Sequence, residues 1–493
     1  MMNLDDLISC LYQYEKNSSL NPVIKSVEMD SRQVKSGSLF ICIDGYTVDG
    51  HDFAKQSVEN GAVAILAEKP LDVGVPVVLV KDTKRAMAII SNVFYDHPTS
   101  KMSLIGVTGT NGKTTTTHLI EKILRDASIT TGLIGTMYMK IADETIETKN
   151  TTPESISLQQ TFKKMVDHGV QSAVMEVSSH ALHLGRVRGC DFNIAVFTNL
   201  SQDHLDYHKT MEAYQNAKGL LFAQLGNTYL NKERKIAVLN IDDPASSEYE
   251  KMTAAEIVTY GIDQECDVRA SNIKITSQGT SFDVNAFGKE ATVQLKMIGK
   301  FSVYNALAAM AACLVDGIPI QAVLNSLETV QGVSGRFEPV DGGQPFTIIV
   351  DYAHTPDSLD NVLKTVKEFA SGEICVVVGC GGDRDKTKRP LMAKIASELA
   401  DNVVLTSDNP RSEDPHQIIK DMEVGLTEHS LNTTIVDRKK AITHAIKNAK
   451  ENDVIIIAGK GHETYQTIGH ETIYFDDRLV AKEAVKELLN NEF

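Results

Sequence analysis

Short uninterrupted apolar runs, each closed by a polar loop and followed by helical spacing, set the rhythm of most of this chain. Between residues 101 and 335 such runs fall at 104–108, 173–177, 194–198 and 236–239. A strand that is apolar at every position has both faces covered, so these runs predict a parallel sheet sandwiched between helices. Residues 268–297 switch to period-two alternation, which predicts antiparallel strands added to the same domain. From 336 to 493 the strand-then-helix rhythm returns, with runs at 347–350, 375–379, 403–406, 434–436 and 454–458. That second series predicts a Rossmann-like, doubly wound sheet. Residues 1–100 alternate short apolar runs with turn signals such as Asp44-Gly45 and Asp49-Gly50, as a smaller α/β unit would. The expectation is an α/β protein of three domains, 1–100, 101–335 and 336–493, in line with about 150 residues per domain.

Composition chiefly excludes. Lys plus Arg is 49 against 65 for Asp plus Glu, a formal charge of -16. Nucleic-acid affinity rests on clustered Lys and Arg, so no nucleic-acid partner is expected. The 7 cysteines are scattered and form no CxxC pair, which argues for a reducing compartment over disulfides or a zinc site. The N-terminal residues lack the basic start and apolar core of a signal peptide, and no apolar run approaches the roughly 18–20 residues of a membrane span. A cytoplasmic protein without membrane insertion is expected.

In open α/β sheets ligands bind at the C-terminal ends of strands, so the loops after the runs are the informative ones. The first reads Gly106-Val107-Thr108-Gly109-Thr110-Asn111-Gly112-Lys113-Thr114-Thr115. Glycines let backbone N–H groups converge on phosphate oxygens, and a following helix adds the positive end of its dipole. Lys113 would reach terminal phosphates and the Thr114 hydroxyl a Mg²⁺ ion, as in a P-loop. The usual spacing asks for glycine at 107, where this chain has Val. The plainer alternative is a glycine-rich strand-to-helix turn with a chance lysine.

The next loops carry Glu176, at the tip of a buried strand and costly there unless paired or metal-bound, and the stretch from Thr198 to Asp206. His204 reads equally as a satisfied structural histidine or as a ligand. Acidic and hydroxyl neighbours beside a P-loop favour Mg²⁺ over zinc. Lys218 lies in a helical pattern, where spacing alone suggests a surface or salt-bridging lysine. Thr151-Thr152-Pro153-Glu154 reads as a helix start, Pro at N1 after a threonine cap. Asp408-Asn409-Pro410-Arg411 reads as an Asn-Pro turn with a solvated arginine ahead of a helix near Pro415.

These motifs, taken in order, resemble the Mur ligases of bacterial cell-wall synthesis. The resemblance rests on the Gly109–Thr115 loop, Glu176-Val177-Ser178-Ser179-His180, Asn199 to Asp206, Ala217-Lys218 and Gly299-Lys300-Phe301-Ser302-Val303-Tyr304-Asn305. It continues with Gly335-Arg336, Asp351-Tyr352-Ala353-His354, Gly381 to Asp385, Asp408 to Arg411 and Gly459-Lys460-Gly461-His462-Glu463, and at the N-terminus with Asp30-Ser31-Arg32. It implies an ATP-dependent ligase in which 101–335 is a P-loop ATPase domain, 1–100 holds the uridine diphosphate and 336–493 the incoming amino acid. ATP would be bound by Gly109, Thr110, Asn111, Gly112, Lys113, Thr114, Thr115, Asn305, Arg336 and Asp351. The resemblance further implies that Lys218 is carbamylated to N6-carboxylysine and that Glu176, His204, Lys218 and Thr114 surround Mg²⁺. Ser302 departs from the family, where Asn is common. Ser31, Thr151, Thr152, Ser178 and Arg186 would contact a UDP-sugar-dipeptide.

The implied chemistry phosphorylates the D-Glu side-chain carboxylate and lets an amine attack the acyl phosphate. Lys113, Lys218, His204 and Arg384 would serve catalysis, Arg384 at the tetrahedral oxyanion. The 408–411 run resembles the branch of the family that adds meso-diaminopimelate, because a guanidinium pairs bidentately with the distal carboxylate that lysine lacks. Arg384, Gly459 and Glu463 would complete that pocket, Glu463 taking an ammonium group. A monomer acting on small-molecule substrates, the UDP-sugar-dipeptide, meso-diaminopimelate and ATP, is expected. Rival readings are a lysine-adding ligase, a folylpolyglutamate synthetase and a P-loop switch.

Overall fold

The computed structural model describes residues 1–45, 48–148, 150–226, 234–276, 278–428 and 431–491. Three large sheets follow one another along the chain. The first has five strands, in the order Glu15–Lys16, Val77–Leu79, Ala62–Ala67, Ser38–Ile41 and Ser26–Glu28. Its core reaches across to Ile156 of the helix Ser155–Asp167, so the N-terminal unit is packed against the central one.

The central sheet has eleven strands. Ser172–Glu176, Ser103–Thr108, Ile194–Phe197 and Ile236–Asn240 lie parallel at its middle, and Val268–Thr276, Gly279–Ala286 and Lys289–Leu295 extend one edge antiparallel, as the alternation predicts. Successive side chains of each middle strand feed opposite cores. Ile105, Val107, Val174, Val196 and Val238 meet the helices Lys113–Asp126 and Lys300–Val315. Leu104, Met175, Phe197 and Leu239 meet Phe162 and Phe222 on the other side.

The third sheet runs Glu338–Pro339, Thr347–Asp351, Val454–Ala458, Ile374–Val378, Asn402–Leu405, Leu431–Thr434, parallel except for its first strand. Helices cover both faces: Ile349, Val376 and Ile456 pack on one side, Ile348, Val377 and Ile455 on the other. The doubly wound expectation therefore holds, with one shift. The strand expected at 434–436 is Leu431–Thr434, an edge strand exposed at every position. The apolar pair at 435–436 carries that pairing on past the strand, Ile435 N–H donating to the Leu405 carbonyl at 2.9 Å and the Val436 carbonyl accepting from the Ser407 N–H at 3.2 Å, as the chain turns back toward the core. All seven cysteines are free. Among the described residues no helix is long and apolar enough to cross a membrane.

Candidate active site

The phosphate loop leaves the strand Ser103–Thr108 and enters the helix at Lys113. Gly109 sits at φ +152 and Gly112 at φ +83, and a Cβ on either would overlap a neighbour, Thr198 at the first and Asn305 at the second. The adjoining strand end fixes the loop: Thr110 N–H donates to the Asn199 carbonyl at 2.8 Å, Asn111 N–H to Asn199 Oδ1 at 2.9 Å, and Thr198 Oγ1 to the Asn111 carbonyl at 2.6 Å. Residues 113–115 form the first turn of the helix, where N–H groups have no intrahelical partner and are free for an anion. Lys113 Nζ curls over the loop onto the carbonyls of Gly109 and Thr110, at 2.9 and 2.8 Å. Burial pushes its ammonium below the usual lysine range, with Glu176 and Asp203 opposing that shift.

Glu176 is fully buried, and its cost is met in full. Oε2 accepts from Thr114 Oγ1 at 3.0 Å and from Thr136 Oγ1 at 3.1 Å, while Oε1 accepts from the Thr136 N–H at 2.8 Å. Thr136 went unnoticed in the sequence because nothing around it marks a site. The hydroxyls of Thr136 and Thr151 lie 3.0 Å apart. Thr152 is no helix cap: the helix starts at Ser155, and Thr152 Oγ1 donates to the Glu176 carbonyl at 2.8 Å and accepts from the Ser178 N–H at 3.1 Å. The hydroxyl is needed to tie two loops together, which wins over the start of a helix three residues later. Ser178 instead caps the short helix Ser179–His183. Arg186 Nη1 donates to the Thr152 carbonyl at 3.1 Å, and its guanidinium pairs with Glu154 at 2.7 Å. Ser31 stands apart on the first sheet's turn, its carbonyl held by Asn60 Nδ2 at 3.2 Å.

Lys218 overturns its surface reading. It is 1% exposed, donates to the Gly109 carbonyl at 2.7 Å and lies 4.4 Å from the Tyr214 ring centroid. Among the described residues no carboxylate lies within ion-pair distance of it. Burial, with Lys113 nearby, pushes this amine far below the usual lysine range. His204 is at φ +54, its side chain 42% exposed and 3.3 Å from Asp203 Oδ2. Its ring stacks edge-on to His180 at 4.8 Å, and desolvation takes it down to about 4. Among the described residues no three His, Cys, Asp or Glu side chains form a ready metal cluster. The donor set implied by the sequence needs a threonine hydroxyl and a modified lysine to complete it. The oxygen donors Thr114 and Glu176, already in contact, suit a hard cation such as Mg²⁺.

The third domain closes over this loop. Arg336 Nη2 donates to Thr114 Oγ1 at 3.1 Å, and its guanidinium lies 4.5 Å from the Tyr352 ring centroid. Asp351 accepts from the N–H groups of Phe337 at 2.6 Å and Ala353 at 2.8 Å, and burial raises its carboxyl. Asp357, three residues beyond the Asp351–His354 motif, accepts from Asn111 Nδ2 and Ser201 Oγ. Asn305 packs beneath Gly112, accepting from Thr116 Oγ1 at 3.3 Å, and Ser302 returns its hydroxyl to the Ile298 carbonyl at 2.8 Å. At the entry to this domain Gly335 lies so close to Gly461 and His462 that a Cβ would overlap their backbone.

A cleft of about 390 Å³ runs between Asp206 of the central domain and Asp383, Arg384, Asp385, Lys386 and Glu413 of the third. Next to Gly382 and Glu413 lies the 408–411 turn. Asp408 accepts from the Asn409 N–H at 2.6 Å, and a Cβ at Gly459 (φ +117) would stand 2.6 Å from Asp408 Oδ2. The buried Pro410 accepts through its carbonyl from the Glu413 N–H at 3.0 Å. Asn409 Nδ2 donates to Glu463 Oε2 at 3.0 Å. Arg411, expected to be a solvated side chain by spacing alone, is half-buried and donates Nη1 to the Gly382 carbonyl at 2.7 Å. Among the described residues no carboxylate lies within ion-pair distance of its guanidinium, whereas nearby Lys386 and Arg389 both pair with Glu413.

A phosphate loop on a parallel sheet, roofed by a doubly wound domain that carries a second polar pocket, defines an ATP-dependent ligase. Three family models match: "Mur ligase family, catalytic domain" over 23–100, "Mur ligase middle domain" over 107–313, and "Mur ligase, glutamate ligase domain" over 335–461. The chain belongs to the Mur ligase family. It is 60% identical over 491 residues to UDP-N-acetylmuramoyl-L-alanyl-D-glutamate–2,6-diaminopimelate ligase of Bacillus cereus, covering 100% of both chains. It is 61% identical over 487 residues to the same-named ligase of Halalkalibacterium halodurans, covering 99% of each. A solved structure of a ligase of that name superposes with a TM-score of 0.68 at 34% identity, over 94% of this chain and 95% of the other.

Proposed function

We propose that this chain adds meso-2,6-diaminopimelate to the D-Glu side-chain carboxylate of UDP-N-acetylmuramoyl-L-alanyl-D-glutamate, consuming ATP, in peptidoglycan precursor synthesis. The observation that carries the reading is the Arg411 guanidinium, which among the described residues has no carboxylate within ion-pair distance and stands on the same turn as Asn409, the partner of Glu463. A free guanidinium suits a distal carboxylate, and an acidic group one bond network away suits the ammonium on the same carbon. Segments 1–100, 101–335 and 336–493 act as the uridine-binding, ATP-binding and amino-acid-binding domains.

The carboxylate is activated first, because its oxygen leaves poorly. The γ-phosphoryl group passes from ATP to the D-Glu carboxylate and ADP leaves; the amine then attacks the acyl carbon and phosphate departs. Lys113 and the N–H groups of 113–115 orient and neutralise the phosphates, and Asn305, Arg336 and Asp351 hold the rest of the nucleotide. Mg²⁺, held by Thr114, Glu176, His204 and Lys218, would supply charge neutralisation at the phosphoryl oxygens. Lys218 is suited to carbamylation: a neutral buried amine attacks CO₂, releases a proton and gains the anionic oxygens that an ammonium lacks. Ser31, Thr151, Thr152, Ser178 and Arg186 bind the UDP-sugar-dipeptide, and Arg384 steadies the tetrahedral oxyanion. The chain acts as a monomer, and its free cysteines support action in the cytoplasm. ADP release measured with the UDP-sugar-dipeptide and either diaminopimelate or lysine tests the reading. Turnover with diaminopimelate and none with lysine is expected; equal turnover would overturn it.

A further inference from the structure

Arg411 and Glu463 stand on different loops, and a third element outside both motifs joins them. The strand Tyr465–Ile468 follows Glu463 closely and pairs antiparallel with Glu471–Tyr474, with Thr467 opposite Thr472. Both main-chain polar groups of Thr467 face the 409–411 turn and not the hairpin partner. Its N–H donates to Asn409 Oδ1 at 3.0 Å, and its carbonyl accepts from the Arg411 N–H at 3.0 Å. Gly469, at the hairpin turn, donates to the Arg411 carbonyl at 2.7 Å. Arg411 is thereby held at φ +52, a left-handed conformation that such a side chain keeps only where its surroundings over-determine it.

A fully buried lysine closes the network. Lys460 Nζ donates to Asn409 Oδ1 at 3.1 Å and to Glu463 Oε2 at 3.2 Å, the same carboxylate oxygen that accepts from Asn409 Nδ2. Gln466 Nε2 adds a hydrogen bond to the Asp408 carbonyl at 2.6 Å. The hairpin is a separate two-stranded sheet, and Lys460 lies beyond the end of the strand Val454–Ala458, so neither belongs to the third sheet. Their bonds converge on the two groups that would read the amino acid.

We infer that Lys460 and the 465–474 hairpin are positioning elements that fix the spacing and angle between Arg411 and Glu463, and so select the stereochemistry of a 2,6-diamino diacid at its distal carbon. The inference rests on the pocket reading given above. That carbon carries an ammonium, a carboxylate, a hydrogen and the chain leading back to the reacting amine. With the chain entering from the Arg384 cleft, only one hand sets both charged groups on two fixed partners at once. If the partners drift, the other hand is tolerated and the correct one is bound less well.

The test is steady-state kinetics of the full chain and of its Lys460→Gln and Thr467→Pro variants, with meso- and LL-diaminopimelate. Thr467→Pro removes the N–H that faces Asn409 and leaves the hairpin ladder its own bonds. Each variant is expected to raise KM for meso-diaminopimelate about tenfold and to erode the meso-over-LL preference by a similar factor. KM for ATP and for the UDP-sugar-dipeptide should stay within about twofold, a split that general damage would not produce. The variants alter different elements, so loss of the fold in one leaves the other as the test. A wild-type enzyme that ignores diaminopimelate overturns the pocket reading and this inference together. Normal wild-type turnover with unaltered KM and stereoselectivity in the variants, or an equal rise in every KM, overturns the inference alone.

Discussion

Asn111, inside the phosphate loop, donates through Nδ2 to Asp357 of the third domain at 2.7 Å, and Ser201 Oγ reaches the same oxygen at 2.8 Å. One carboxylate thus ties the nucleotide loop, the loop after the next strand, and the domain that closes above them. Replacing Asp357 with Ala should leave the fold intact, because the side chain is only part-buried, and should loosen closure. We expect kcat to fall about tenfold with KM for ATP raised. Rapid-mixing or steady-state kinetics would settle it; a kcat unchanged by the substitution contradicts the clamp.

Among the described residues no carboxylate lies within ion-pair distance of Lys218 and burial disfavours its ammonium, so the amine is held in the neutral form that reacts with CO₂. Lys218→Ala should cut turnover about 10²-fold or more. Short carboxylates such as acetate should restore part of it by standing where the carbamate oxygens would. Full activity in the alanine variant would rule out a role for the modified side chain.

Arg411→Ala should lower kcat/KM for diaminopimelate about 10³-fold while leaving the poor use of lysine little changed, since lysine has nothing for the guanidinium to hold. Arg411→Lys should recover little, because a point charge does not replace the planar fork. Competition between the two amino acids in one assay reads the ratio directly.

His462 should leave a signature in the acid range. Burial, with Arg336, Arg478 and His118 close by, holds the ring down to about 3. Unfolding frees it to its ordinary value near 6.5. Between these values the unfolded chain binds the extra proton, so this ring removes stability as pH falls from about 6.5 towards 3. The thermal midpoint of His462→Gln should therefore drop less between pH 7 and pH 5 than that of the wild type. An identical drop would mean that the ring titrates normally in the folded protein.

The parallel strands were legible because they are apolar throughout, and the P-loop because glycine, lysine and threonine fall where phosphate chemistry needs them. The edge strand Leu431–Thr434 was not, since a polar, exposed strand carries no apolar run. Lys218 shows the larger limit: helical spacing cannot say that a lysine points at a carbonyl 109 residues earlier in the chain. Thr152 misled for a related reason, a cap-like sequence serving a contact between loops. Asp357 and Lys460 lie beside or within motifs that were read, yet their roles depend on partners in other segments. The resemblance supplied the site as a set; the hydrogen bonds supply its wiring.

Gly335 and Gly461 meet backbone to backbone, with no side chain between them. The first belongs to the segment by which the chain leaves the central domain, the second to the loop that carries Lys460 and Glu463. The crossing is a rigid linkage without a cushion. Any swing of the third domain about its tether is passed straight to the grip on the amino acid, so the hinge and the jaw are one mechanical part. A methyl group at either glycine would act as a wedge in that joint, spoiling the grip at a distance from every charged group that performs it.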